Sequence, residues 1–142
     1  MKKLMMPALV VLVISSSACA QKLDASKVPA VVKQSFSKQY AGATAKWELE
    51  DGHYEAGFKH NGTEMSVLYD ANGNMKESEV EIKVAELPAN VLTYINAHYA
   101  VKKIKEAAKI TDAKGIVKYE AEVGGNDLIF DANGNFLESV KG

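Results

Sequence analysis

The chain has 142 residues, a formal net charge of −1, and 47% hydrophobic and 25% charged residues. This composition is typical of one soluble globular domain and excludes collagen-like, coiled-coil and disordered chains. Every basic residue is a lysine. A nearly neutral chain without arginine argues against nucleic-acid binding, which needs a basic surface. The single cysteine, Cys19, excludes an intramolecular disulfide and a CxxC metal site.

The first twenty residues have the three parts of a secretory signal peptide. Two lysines precede an apolar run of about eleven residues, and small residues follow up to Ala20. The run is too short to cross a bilayer of ~30 Å. We therefore expect residues 1–20 to be cleaved off before Gln21, which leaves residues 21–142 as a periplasmic or secreted protein.

A lipoprotein signal is the alternative interpretation of this segment. Lipidation of Cys19 would follow Ser16-Ser17-Ala18, although the lipoprotein pattern usually has an aliphatic residue in place of Ser16. The product would then be a membrane-anchored lipoprotein. Both interpretations place the protein outside the cytoplasm, and no later segment is apolar enough to span a membrane.

Sequence motifs recur in the same order after about sixty residues. They are Val28-Pro29-Ala30 and Leu87-Pro88-Ala89, Tyr54-Glu55-Ala56 and Tyr119-Glu120-Ala121, and Asp70-Ala71-Asn72-Gly73-Asn74 and Asp131-Ala132-Asn133-Gly134-Asn135. We interpret them as two homologous units, at about 24–82 and 83–142. Units this small seldom fold alone, so the two are expected to share a core.

Each unit is predicted to open with a helix, at about residues 27–40 and 86–99, because apolar residues recur there every three or four positions. Pro29 and Pro88 stand in the first turn of these helices, where a missing N–H costs nothing. Ser26 is a candidate N-cap of the first helix.

Four segments of alternating apolar and polar residues follow each helix. Asp51-Gly52 and Asn61-Gly62 are hairpin signals between them. The pattern predicts an α+β fold, a tandem repeat of a helix plus four antiparallel strands, which gives an eight-stranded antiparallel sheet with both helices on one face. Trp47 is predicted to point into the core. Glu106, which aligns with Trp47 at an offset of 59, is predicted to share that inward parity. A position near a sheet edge, where the carboxylate reaches water, is favoured over a buried, paired and functional carboxylate.

At this point the chain resembles the PepSY-like family of exported Bacteroidetes proteins, which is also described as β-lactamase-inhibitor-like. The resemblance covers residues 24–140 and rests on the ordered set of the two helix openings, Lys46-Trp47-Glu48, the Tyr-Glu-Ala motifs and the Tyr/Phe-Asp-x-x-Gly turns. It implies the tandem fold and a periplasmic or cell-surface location. It also implies a non-catalytic role in protein binding or inhibition, without catalytic residues.

The sequence predicts no metal or cofactor site. The Asp70 turn lacks the spacing of an EF-hand loop, so a hairpin turn is favoured over a calcium site. His53 and His60 lie at opposite ends of one predicted strand, on the order of 20 Å apart and on opposite faces. His98 lies on the second helix. No nucleophile elbow is present, and we expect no enzymatic activity.

An acidic sheet face is the main functional candidate. Residues 44–82 contain nine acidic residues against three lysines. Glu77, Glu79 and Glu81 are predicted to share the outward parity of this face. The alternative is a solvated face with cross-strand ion pairs. The candidate partner contacts are Glu48, Glu50, Glu55, Lys59 and Glu64.

These patterns favour an exported, non-catalytic module that engages or inhibits an unknown protein partner in the envelope, or a secreted one, through this sheet face. The alternative is a periplasmic protein that binds a small ligand or a divalent ion.

Overall fold

The computed structural model describes residues 20–99 and 103–142. The predicted signal peptide, apart from Ala20, and the lipidation candidate Cys19 lie outside these residues. No helix in the described part of the chain is long and apolar enough to cross a membrane.

Two helices and nine strands form the molecule. The helices are α1 (Ala30–Gln39) and α2 (Ala89–His98). The strands are β1 (Gln21–Leu23), β2 (Lys46–Glu50), β3 (His53–His60), β4 (Thr63–Tyr69), β5 (Met75–Ile82), β6 (Ile104–Asp112), β7 (Val117–Val123), β8 (Asn126–Asp131) and β9 (Phe136–Lys141).

The strands form one antiparallel sheet in chain order, so that β5 and β6 join the two repeats. The α+β class is confirmed, but the prediction of eight strands was wrong. The additional strand is β1, which pairs with β2 so that Leu23 lies opposite Trp47. Three residues are too few to show an alternating pattern, and the neighbouring strand supplies the hydrogen bonds that make them a strand.

Both helices begin three residues later than predicted. Short 3-10 turns at Ala25–Lys27 and Val84–Glu86 precede them, and Pro29 and Pro88 occupy the N-cap positions rather than the first turn. Ser26 does not cap α1, because it lies within the first 3-10 turn. Its backbone N–H donates to Asp24 Oδ1 at 2.9 Å instead.

Buried residues of the two helices pack against the same face of the sheet. Val32 and Phe36 of α1 contact a cluster that includes Trp47, and Val91 of α2 belongs to a second cluster that includes Phe130. The strand registers place these two clusters on one face. Trp47 is 7% exposed and meets the Phe36 ring edge-on at 5.6 Å between centroids, which confirms its predicted core position.

The turns confirm the hairpin predictions. Asp51 and Asn61 have φ values of 47° and 50°, and a glycine with positive φ follows each. The Asp70 carboxylate accepts the N–H groups of Asn72 and Asn74 at 2.9 and 3.0 Å, so this side chain stabilises its own turn.

Glu106 does not have the predicted inward parity. A bulge at Lys105 shifts the register between β6 and β7, so that Glu106 pairs with Glu122 while Ile104 pairs with Val123. Ala107, rather than Glu106, therefore occupies the position equivalent to Trp47. The single inserted residue moves the Glu106 side chain to the face opposite the helices.

Candidate binding face

We call the sheet face opposite the two helices the open face, and all five predicted partner contacts lie on it. Glu48 is directly across from Glu55, and Lys59 is directly across from Glu64. The Lys59 Nζ lies 3.5 Å from Glu64 Oε1, with both side chains partly exposed. This pair is a solvent-exposed cross-strand ion pair, as expected for a solvated sheet face. Glu50 and Glu55 are different, because both are buried.

The middle of the open face is buried although both described helices lie on the other side. Ile110 and Ile129 are 2% and 1% exposed. Glu55 and Glu120 are 6% and 5% exposed, and each lies directly across from a large apolar residue of the next strand, Leu68 and Ile129 respectively. These carboxyl groups therefore have little contact with bulk water.

A row of four buried carboxyl groups and one half-buried one, that of Glu79, crosses this part of the sheet. One member comes from each of β2, β3, β5, β7 and β8, and all five have the open-face parity. We call this row the carboxylate strip. Its members are Glu50, Glu55, Glu79, Glu120 and Asp127.

Burial controls the ionisation of Glu55. Loss of solvation, followed by the charges of Glu48, Glu50 and Glu77, raises the pKa of this carboxyl to about 8. The Ser66 hydroxyl donates a hydrogen bond that lowers the pKa by a smaller amount. Near neutral pH Glu55 is therefore largely protonated.

Glu120 and Glu79 behave in the same way. Desolvation, followed by the charges of Asp127 and Glu122, raises the pKa of Glu120 to about 8. Desolvation, followed by the charges of Glu120 and Glu55, holds the pKa of Glu79 well above its ordinary value. Mutual repulsion and poor solvation thus favour the neutral form along the middle of the strip.

Several oxygen atoms of the strip have no hydrogen-bond partner. Three oxygen atoms are buried without a hydrogen-bond partner: Glu50 Oε1, Glu79 Oε2 and Asp127 Oδ1. Glu50 and Asp127 are only 7% and 6% exposed as whole residues. A buried polar atom without a partner is costly, and a ligand is one of the accepted reasons for its presence.

A cleft of about 390 Å³ lies at one end of the open face, where the two repeats meet. Desolvation raises the pKa of Glu77 in this cleft to about 7, while the Lys118 charge lowers it and the Asp112 charge raises it. The cleft therefore combines charges of both signs with apolar surface. Its lining residues are His53, Lys76, Glu77, Ile110, Asp112, Ile116 and Lys118.

The histidines are separated as the sequence predicted. His53 lies on the open face, across from Glu50, while His60 meets the Tyr40 ring edge-on at 5.4 Å between centroids. His98 stacks on Tyr94 in α2 at 4.0 Å between centroids. In the described ranges, no group of three or more His, Cys, Asp or Glu side chains is arranged to hold a metal ion.

The charge pattern of the sequence did not indicate Glu120 and Asp127, the members of the strip that lie in the second repeat. Residues 83–142 have eight acidic residues and eight lysines, so their charge balance gave no signal. The repeat itself contained the signal, because Glu55 and Glu120 are the central residues of the two Tyr-Glu-Ala motifs. Asp127 aligns with Ser66 of the first unit, so the repeat gave no signal for this acid.

The family described as "Putative beta-lactamase-inhibitor-like, PepSY-like" matches residues 16–77 and 52–138 in two overlapping segments. The chain belongs to this PepSY-like family. None of the curated proteins that were compared matches the chain.

Solved structures from Bacteroides species have a similar fold. A protein from Bacteroides eggerthii described as "putative periplasmic" is 18% identical, with a TM-score of 0.72 over 79% of this chain and 87% of that one. A DUF2874 family protein from Bacteroides uniformis is 21% identical, with a TM-score of 0.70 over 78% and 87%. A BLIP-like protein from Bacteroides fragilis is 25% identical, with a TM-score of 0.62 over 80% and 88%.

Proposed function

We propose that this PepSY-like protein is an exported, non-catalytic module that binds an envelope or secreted protein through its open face. The observation that carries the proposal is the carboxylate strip, whose buried oxygens of Glu50, Glu79 and Asp127 have no partner within the molecule. One face of the sheet is covered by the two helices. The open face is thus the surface that remains for a partner.

The comparisons support binding rather than catalysis. The family description names inhibitor-like proteins, and the Bacteroides fragilis protein is described as BLIP-like. Inhibition of an enzyme is accordingly the form of binding that we favour. The signal-peptide pattern before Gln21 supports a periplasmic or secreted location, with lipidation of Cys19 as the alternative route.

Site-directed photo-crosslinking in the living cell tests this function. A photo-reactive amino acid is placed at Glu48 or Lys118 on the open face, and at Lys38 on the exposed side of α1 as the matched control. We expect the same partner protein to be captured from both open-face positions and not from Lys38. Capture from Lys38 alone, or from no position, would contradict the proposal.

Small-ligand binding is the second candidate, because the cleft between the repeats places His53, Glu77 and Lys118 around an apolar floor. A ligand with charges of both signs would fit this lining. Calorimetry with free amino acids, compared between the native protein and Lys118→Gln, tests this alternative. Heat that disappears in Lys118→Gln would support the small-ligand function, and no heat with the native protein would exclude these ligands.

A further inference from the structure

The carboxylate strip is arranged to receive positive charge. Glu55 and Glu120 come from equivalent positions of the two repeats and flank Glu79 of the central strand β5. Ser66 stands between Glu55 and Glu79, and Ala108 stands between Glu79 and Glu120, so no basic side chain separates the acids along this line.

Two members of the strip point independently to a missing ligand. Glu50 and Asp127, on β2 and β8, are more than nine-tenths buried, and each has an oxygen atom with no hydrogen-bond partner. Both side chains lie on the open face, and the charge of each raises the pKa of a neighbouring acid of the strip, Glu50 that of Glu55 and Asp127 that of Glu120. An ionised carboxylate accepts hydrogen bonds and donates none, so the partner that these oxygens lack is a hydrogen-bond donor. A cationic donor forms the strongest such bond.

The length of the strip decides what kind of cation fits. Neighbouring strands are separated by about 4.8 Å, so the distance across the sheet from β2 to β8 is roughly 29 Å. A single metal ion cannot reach acids spread over this distance. An extended peptide advances about 3.3 Å per residue, so side chains on alternate residues recur roughly every 6.6 Å and can follow the row.

We propose that the carboxylate strip binds an extended, cationic polypeptide segment of the partner, with lysine or arginine side chains on alternate residues. This inference rests on the proposed function and names the chemistry of the partner. Each cationic side chain donates hydrogen bonds to carboxylates that otherwise repel one another. Binding therefore removes a destabilising feature of the free protein as well as forming new contacts.

Protons compete with such a segment for the strip. The groups that face the buried acids are almost all acidic, so ionisation of one disfavours ionisation of the next. They are Glu48 from β2, Asp51 from the turn after it, Glu77 from β5, Glu106 from β6 and Glu122 from β7. The basic groups are Lys118 from β7, which acts on Glu77, and His53 from β3, which acts on Glu50. A cationic segment should consequently bind more tightly at pH 8.5 than at pH 6, with release of protons.

Isothermal titration calorimetry tests the inference with a synthetic eight-residue peptide of alternating lysine and threonine. The control peptide has glutamine in place of lysine. We expect the lysine peptide to bind at least about tenfold more tightly than the control peptide. We expect the double variant Glu55→Gln, Glu120→Gln to bind the lysine peptide about tenfold more weakly than the native protein does. Glu79→Gln provides an independent variant if the double variant fails to fold.

Glu81→Gln is the matched control, because Glu81 is an exposed acid of the open face on the same strand as Glu79. Equal loss in Glu81→Gln and in the strip variants would show attraction to overall charge only and would overturn the inference. Equal binding of the two peptides would do the same. Calcium ions that bind to the same glutamates and displace the peptide would assign the strip to a metal instead.

The outcomes for the inference and for the proposed function are separable. Crosslinking from Glu48 and Lys118 identifies a partner whatever its sequence. If that partner contacts the open face through a segment without lysine or arginine, the inference fails while the binding function remains. If the peptide binds but the crosslinks come only from Lys38, the strip has affinity for cationic segments, but the proposed function fails and the strip is not the partner's binding site.

Discussion

Glu55 and Glu120 occupy the same position in the two repeats, and burial raises the pKa of each carboxyl to about 8. Each is the central residue of a Tyr-Glu-Ala motif, and each lies on the open face beside a large apolar residue. Duplication of the unit has thus placed two poorly solvated acids on one surface. The consequence is a protein whose stability and ligand affinity depend on pH in opposite directions.

The stability of the free protein is expected to fall as the pH rises from about 5 to about 8.5. In the unfolded chain the Glu55 and Glu120 carboxyls ionise near 4.5, whereas in the folded protein they hold their protons to about 8. Between these values the native state binds more protons than the unfolded state, so the free energy of unfolding decreases with pH. We expect a loss of at least about 2 kcal/mol over this range.

Urea denaturation at pH 5, 7 and 8.5 measures this effect. The variants Glu55→Gln and Glu120→Gln, which cannot ionise at these positions, should each flatten the pH dependence, while Glu81→Gln should leave it unchanged. If the native protein is as stable at pH 8.5 as at pH 5, or more stable, then ionisation of the two acids in the folded state costs little free energy, which would contradict the prediction.

The turn between β4 and β5 is expected to tolerate no side chain at Gly73. This residue has φ of +82°, and a Cβ atom there would lie 2.7 Å from Ser35 Oγ and 2.8 Å from the Val31 carbonyl oxygen. Gly115 has the same φ, but nothing lies within 4 Å of its Cβ position. We expect Gly73→Ala to cost about 2–4 kcal/mol and Gly115→Ala about 1 kcal/mol.

Thermal or urea unfolding of these two variants separates the cost of steric overlap from the cost of the left-handed backbone. The difference between the two losses in free energy of unfolding reports the steric overlap at Gly73. If both alanine variants lose the same stability, the turn is not held closely against α1.

Neighbouring valines of α1 are expected to differ in their contribution to stability. Val32 is 0% exposed and belongs to the first core cluster, whereas Val31 is 44% exposed. Val32→Ala should cost about 2 kcal/mol through lost apolar burial and an unfilled space. Val31→Ala should be neutral or slightly stabilising, because alanine is the better helix former. Equal effects of the two substitutions in urea unfolding would contradict the assigned orientation of α1.

The hydrogen bond between α1 and β4 is expected to show asymmetric mutational costs. The Tyr69 hydroxyl donates to Gln39 Oε1 at 2.7 Å, and Tyr69 is fully buried while Gln39 is exposed. Gln39→Ala leaves a buried hydroxyl without its acceptor and should cost about 1–3 kcal/mol. Tyr69→Phe removes the donor and leaves Gln39 to water, so its cost should be about 1 kcal/mol or less.

Denaturation curves of these variants, with Gln34→Ala on the exposed side of α1 as the control, test the asymmetry. The ultraviolet absorbance titration gives a second measurement, because burial raises the pKa of Tyr69 to about 12. The native protein should show one tyrosine that ionises only near pH 12, and this phase should be absent from Tyr69→Phe. A larger cost for Tyr69→Phe than for Gln39→Ala would indicate that ring packing, rather than the hydroxyl, responds to the change.

Local patterns predicted most of the architecture correctly. The Asn61-Gly62 turn, the core position of Trp47 and the side of the sheet on which Glu48 and Glu64 lie all follow from alternation and turn chemistry, which act over a few residues. The errors arose where one inserted residue or a remote partner decides the outcome. The bulge at Lys105 reversed the orientation of Glu106, and β1 exists only because β2 pairs with it.

The sequence alone indicated that the same set of motifs occurs twice in the chain, with helices and strands whose apolar residues share one face. Periodicity and turn residues are local properties, and the repeat can be read directly from the motifs. Only the tertiary structure decided that acids of both repeats lie in one buried row, because that arrangement depends on the register across β5 and β6. Burial is also a property of the assembled sheet, since neighbouring strands exclude the water that would otherwise solvate each carboxylate.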